Sequence, residues 1–75
     1  MNIKNEDIAK LRYKIYKIVM SNEGVLEFHG FYLEEKNKSI RFDIIIDYSM
    51  KNREEIYNKI LNDVKKEYPD YTINI

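Results

Sequence analysis

The sequence predicts a two-layer α+β domain with the element order α-β-β-α-β, and three patterns support this. Residues 25–47 have the pattern of a β-hairpin, two apolar runs separated by a polar turn at residues 34–39. Apolar residues at three- and four-residue steps on either side of the hairpin predict two amphipathic helices. Residues 71–75 alternate again and predict a third strand. We expect a three-stranded sheet with both helices packed on one face.

The second strand of the hairpin alternates strictly and is rich in β-branched residues, which favours a half-buried strand. The expected core-facing residues are Phe42, Ile44 and Ile46, and the other face holds Arg41, Asp43, Ile45 and Asp47. Together with aromatic residues of the first strand, that second face would form an open surface suited to a partner.

The first strand, residues 25–34, alternates less regularly, so the side on which His29 lies depends on the hairpin register. If paired residue numbers sum to an even number, His29 shares the face of Asp43; if they sum to an odd number, it points into the core beside Ile44. Gly30 could host a bulge that changes this parity within the strand.

The helices are bounded by capping signals. Residues 1–4 form a short lead-in, Asn5 is the expected N-cap of the first helix, and Gly24 is expected to end that helix in a left-handed conformation. Asn52 with Glu55 predicts a capping box at the second helix. The predicted apolar stripes are Ile8, Leu11, Ile15, Ile18 and Val19 in the first helix, and Ile56, Ile60, Leu61 and Val64 in the second.

The last three elements form a β-α-β unit with a right-handed crossover, which should place the third strand parallel to a neighbour of the second strand or to the first. The whole order corresponds to a ferredoxin-like fold that lacks its first strand. With 75 residues, the chain has room for one small domain, residues 1–75, whose thin core favours oligomerisation.

Composition excludes several function classes. The chain has 13 basic and 13 acidic residues, interspersed, so we expect no nucleic-acid partner. One histidine, no cysteine and two isolated glycines leave no catalytic triad and no phosphate-binding loop, and we expect no enzyme activity. The longest unbroken apolar run is residues 44–46, so we expect this chain alone to be soluble and not to insert into a membrane.

The candidate metal ligands are His29 and Asp43, an imidazole and a carboxylate of the types that suit zinc or manganese. Two ligands do not complete a tetrahedral site, so others would come from elsewhere or from a second subunit. The alternatives without metal are a hydrogen-bonded or half-exposed strand histidine at His29, and a surface carboxylate at Asp43 paired with Arg41 or a lysine.

The chain resembles the cytoplasmic C-terminal domain of cation diffusion facilitator (cation efflux) transporters in two consecutive runs, FHGFYLEEKNKSIRFDIIID and NREEIYNKILNDVKKEYPDYTINI. The preceding LRYKIYKIVMSNEGVLEFHG is similar to that family's amphipathic helix and its entry into the first strand. The resemblance covers residues 8–75 and depends on element order, a Gly-Val-x-x-x-His-Gly entry, an Arg-Phe-Asp strand and a Tyr-Pro-Asp-Tyr turn.

The resemblance implies a metallochaperone-like domain that forms a homodimer at the cytoplasmic face of the membrane. It also implies that this domain couples binding of a divalent cation, zinc or manganese, to the transmembrane portion of the same transporter. His29 stands where zinc-binding members have a ligand histidine, and Asp43 stands at a second ligand position where they have histidine. Further ligands come from a segment after the third strand, beyond Ile75. Two alternatives are a free-standing interaction module without a metal role and a regulatory domain that binds a small ligand.

Overall fold

The computed structural model describes residues 4–75 and contains two helices and three strands. In chain order these are α1 (Asn5–Met20), β1 (Val25–Glu34), β2 (Ser39–Ile46), α2 (Arg53–Glu67) and β3 (Thr72–Asn74). This confirms the predicted α-β-β-α-β order and the α+β class. Residues 1–3, most of the expected lead-in, lie outside the described residues.

The sheet has the strand order β1-β2-β3, with β2 in the centre. β1 pairs with β2 antiparallel, and β3 pairs with β2 in parallel through Ser39–Thr72, Ile40–Ile73 and Arg41–Asn74. β3 is therefore parallel to β2 itself, whereas the sequence suggested that it would be parallel to β1 or to a neighbour of β2. Crossover handedness restricts how the chain returns to the sheet, but it does not choose the strand next to which it lands.

Two bulges explain why β1 alternates less regularly than β2. The pairs Val25–Ile46 and Glu27–Ile45 leave one extra residue in β1 at Leu26, which is 56% exposed. A second extra residue lies between the pairs His29–Asp43 and Tyr32–Arg41, where Gly30 has a φ of +69°. A glycine with positive φ is typical of the first position of a bulge, so the bulge that the sequence left open at Gly30 is present in the structure.

The core lies between the sheet and the two helices, which cover the same face. Ile15 and Val19 of α1 and Ile60 and Val64 of α2 are fully buried, and the sheet contributes its fully buried Ile40 and Phe42. Phe28 of β1 packs on Phe42 with ring centroids 5.3 Å apart. The remaining buried apolar residues are Val25 and Ile56.

The helix ends agree with the sequence in part. α1 begins at Asn5 itself, with Lys4 as its N-cap, because the carbonyl oxygen of Lys4 accepts the first bonds, from the N–H groups of Asp7 and Ile8. The prediction that Asn5 caps α1 was therefore wrong by one residue. Asn52 does cap α2, but its side chain makes no capping hydrogen bond. Gly24 has the expected positive φ, +92°, but it does not cap α1, because the helix ends at Met20 with Ser21 as its C-cap.

Within residues 4–75, no helix combines the length and the apolar composition needed to cross a bilayer.

Candidate functional site

His29 and Asp43 lie directly opposite each other across the β1–β2 hairpin. Their residue numbers sum to an even number, so the structure answers the register question: His29 is on the face of Asp43 and away from the core. Its neighbour Phe28 pairs with Ile44 and points toward the helices. Both members of the predicted metal pair are exposed, and both are therefore available to a ligand from solvent.

The bulge at Gly30 makes room for the carboxylate of Asp43. A Cβ atom placed on Gly30 would lie 2.5 Å from Oδ2 of Asp43, well inside van der Waals contact. The Asp43 side chain thus lies over the bulged backbone of β1, beside the residue that follows His29. Glycine at this position serves two needs, because the backbone has a positive φ and because the carboxylate occupies the space of a side chain.

The surface around this pair is the open face of the sheet, opposite the helices. Tyr32 pairs with Arg41 on one side of His29–Asp43, and Glu27 pairs with Ile45 on the other. Tyr32 is 59% exposed and Ile45 is 40% exposed. Within residues 4–75, Asp43 makes no ion pair of 4.0 Å or less, so the alternative of a carboxylate paired with Arg41 is not observed.

The donor set of one chain is incomplete for a metal ion. His29 and Asp43 offer one imidazole and one carboxylate, which are ligand types of zinc and manganese sites. No group of three or more histidine, cysteine, aspartate or glutamate side chains in the described part of the chain could hold a metal ion. The pair thus supplies two ligands, half of a tetrahedral set, and a closed site would need two more.

The carboxylate of Asp47 accepts local hydrogen bonds at the end of β2. Oδ1 of Asp47 accepts bonds from the backbone N–H and the hydroxyl of Ser49, both at 2.9 Å. The hydrogen bond from the Ser49 backbone N–H, helped by the hydroxyl, lowers the pKa of Asp47. Asp47 was expected on the open face, but this side chain instead fixes the turn between β2 and α2.

A groove that the sequence analysis missed lies beside β2, where β3 no longer covers it. Its volume is about 470 Å³. The lining residues are Asp43, Ile44, Ile46, Arg53, Glu54, Tyr57 and Ile75.

Comparison with protein-family models, with curated proteins and with solved structures finds no match to this chain.

Proposed function

We propose that this chain is a dimerising, metal-responsive regulatory domain of the kind that cation efflux transporters carry at the cytoplasmic face of the membrane. In this proposal His29 and Asp43 are two of the ligands of a divalent cation, zinc or manganese. The observation that carries it is the cross-strand pairing of His29 with Asp43 on the exposed face of the sheet. The sequence resemblance to that transporter domain supplies the functional context.

The chemistry of the pair favours a shared site. A zinc ion in a closed protein site takes four ligands, and one chain offers two. Two copies related by a two-fold axis would bring two imidazoles and two carboxylates to one place, as a symmetric interface repeats every contact. The exposed side chains of Tyr32 and Ile45 beside the pair would supply apolar contact around such a site.

The mechanism would be linkage between metal binding and subunit arrangement. A cation that binds one dimer geometry more tightly than another shifts the population toward it by that difference in affinity. The transmembrane portion of the transporter would respond to the resulting position of the two domains.

A second candidate is an interaction module of the same fold without a metal role. Leu26, Tyr32 and Ile45 are large apolar side chains that β1 and β2 leave exposed, and such a surface suits a protein partner even without a cation.

The two candidates differ in their dependence on metal. We would measure molar mass by light scattering, first with chelator and then with zinc or manganese, for the native chain, Asp43→Asn and Asp70→Asn. Asp70 is an exposed acid in the turn before β3 and serves as the matched control. The transporter-domain proposal requires a dimer that metal strengthens in the native chain and in Asp70→Asn, but not in Asp43→Asn.

A dimer indifferent to metal would favour the interaction module. A monomer indifferent to metal would overturn the proposed metal-responsive dimer. His29→Ala tests the other ligand, and we expect it to abolish the response to metal with little change in stability, because His29 is exposed.

A further inference from the structure

We propose that the outer face of α1 binds the surface of an anionic lipid membrane, on which the domain would lie without inserting. We call this face the α1 basic stripe, defined by the exposed residues Lys10, Tyr13, Lys14, Tyr16 and Lys17. The proposal depends on the charge and the geometry of this helix, and it is independent of the metal site.

Charge is unevenly distributed along the chain although its total is zero. Residues 8–22 contain four basic residues and no acidic one, so all 13 acidic residues lie elsewhere. The acids of α1, Glu6 and Asp7, are confined to its first turn. In this segment acids and bases are therefore not interspersed, and the stripe carries a positive charge that attracts an anionic surface.

The stripe lies on the side of α1 that faces away from the core. Ile15 and Val19 are fully buried. Lys10, Tyr13 and Lys17 follow one another at three- and four-residue steps and lie on the opposite side of the helix. Within residues 4–75, neither of these lysines makes an ion pair of 4.0 Å or less. Both charges are therefore available to an external anion.

The last turn of α2 extends the positive surface. Nζ of Lys14 lies 2.9 Å from Oε1 of Glu67, which places the end of α2 beside the middle of α1. The same turn of α2 contains Lys65 and Lys66, and both are exposed. Glu67 thus offsets the charge of Lys14, whereas its two neighbours add positive charge to the helix layer.

Two exposed tyrosines interrupt the lysines of the stripe. Tyr13 is 57% exposed and Tyr16 is 38% exposed, and their rings stack with centroids 6.2 Å apart. Nζ of Lys17 lies 5.6 Å from the centroid of the Tyr13 ring. A tyrosine combines an apolar ring with a polar hydroxyl, and this suits the headgroup level of a bilayer. The stripe therefore matches a lipid surface in polarity as well as in charge.

The shape of the stripe favours a membrane over a nucleic acid. It lies on a single convex helix of 16 residues, about 24 Å long. A lipid surface presents anionic headgroups along any line, so a convex stripe can contact it without a groove. A nucleic-acid strand that continued beyond the stripe would meet the acidic residues of the remaining surface. The domain would not insert, because the core already uses the apolar side of α1.

The first test is sedimentation of the chain with lipid vesicles, with chelator present throughout. The vesicles are phosphatidylcholine alone, or equal parts of phosphatidylcholine and phosphatidylglycerol. At about 0.01 M salt we expect the native chain to bind only the anionic vesicles. Binding should be lost at about 1 M salt, since the Debye length falls from about 30 Å to about 3 Å.

Matched charge variants test the position of the stripe. Lys10→Gln/Lys17→Gln should weaken binding to the anionic vesicles by roughly 25-fold, because each basic residue near such a surface contributes about fivefold. The control Lys36→Gln/Arg41→Gln removes the same charge at two exposed positions of the hairpin. It should weaken binding by no more than about twofold, through the net charge alone. The circular dichroism spectrum of each variant shows whether it is folded.

NMR of isotope-labelled protein locates the bound face. With anionic vesicles that carry a nitroxide on some headgroups, the amide signals of Lys10, Tyr13 and Lys17 should broaden most. Those of residues 41–45, on the open face of the sheet, should broaden least.

Four results would overturn the proposal. They are no sedimentation with anionic vesicles at low salt, equal losses in the two double variants, and broadening centred on the open face. The fourth is release from the vesicles by a single-stranded oligonucleotide at a phosphate concentration below that of the lipid, because it would make nucleic acid the occupant. None of the four involves metal, so they leave the proposed metal-responsive dimer untouched.

Discussion

The carboxylate of Asp43 lies over Gly30, at the position that a side chain on Gly30 would fill. Gly30 also has a positive φ, and this alone should make Gly30→Ala destabilise the domain by about 1–2 kcal/mol. It should also force the Asp43 side chain to rotate away, which an exposed carboxylate can do at small cost. Chemical denaturation of Gly30→Ala measures the first effect.

A double-mutant cycle separates the two effects. If the carboxylate adds to the cost, Gly30→Ala should be less destabilising in an Asp43→Ala background than in the native chain. Equal costs in both backgrounds would assign the whole effect to the backbone, and a neutral Gly30→Ala would contradict the positive φ.

Two isoleucines of β2 test the assignment of the sheet faces. Ile40 is fully buried between the sheet and the helices, whereas Ile45 is 40% exposed on the opposite face. Ile40→Ala should lower the free energy of unfolding by about 2–5 kcal/mol, because it leaves a cavity in the core. Ile45→Ala should lower it by only about 1 kcal/mol. Urea unfolding of both variants provides the comparison, and equal losses would show that the faces are wrongly assigned.

Asp47 should make stability depend on acid pH. Its pKa is lowered by the Ser49 N–H and hydroxyl, so the ionised form is favoured in the folded state. The resulting contribution to stability is present above about pH 4, the ordinary pKa of aspartate, and is lost as the pH falls through the lowered pKa. NMR titration of the carboxyl carbon measures this pKa directly.

Substitution of Ser49 separates the contributions of its backbone N–H and its hydroxyl to the lowered pKa of Asp47. Ser49→Ala keeps the backbone N–H, the larger cause, and should raise the pKa of Asp47 only part of the way to its ordinary value. Ser39→Ala, a serine at the other end of β2, should leave it unchanged. A full return to the ordinary value in Ser49→Ala would contradict the dominance of the backbone bond.

Among the polar side chains at the end of α1, Asn22 should contribute most to the stability of the fold. Its Nδ2 donates to the carbonyls of Ile18 and Val19, at 2.9 and 3.3 Å, and its Oδ1 accepts a bond from Lys59 of α2. Asn22→Ala should cost about 1 kcal/mol by thermal unfolding, since it removes two hydrogen bonds to carbonyls at the helix end and the acceptor of Lys59. Asn58→Ala, at an exposed position in α2, should be neutral or stabilising because alanine has the higher helix propensity.

Much of the fold could be predicted because its helices and β2 follow simple periods. The strict alternation of β2 identified its core face, and the burial of Ile40 and Phe42 confirms that face. The predicted bounds of β1, residues 25–34, are those of the structure. The register of β1 could not be predicted, since each of its two bulges shifts the parity by one residue and leaves no regular period to follow.

The sequence could propose members for a candidate site from their ligand types, and this stays a prediction, but it could not predict how they are arranged. His29 and Asp43 were chosen for their chemistry, whereas their direct pairing follows from a register that only the structure provides. The groove beside β2 depends on the place of β3, which was predicted incorrectly. A three-residue strand carries too little pattern to define its neighbour.

The bulge at Gly30 has a consequence for how the hairpin tolerates changes in length. If Gly30 were deleted, Phe31 would stand opposite Phe42, and Tyr32 and Leu33 would keep their present partners. Every side chain would stay on its own face of the sheet, so the packing of the hydrophobic core would not change. Gly30 is thus not required for packing of the core. Its deletion would act only on the solvent-exposed face of the hairpin, where Asp43 would lose the space that its carboxylate now occupies.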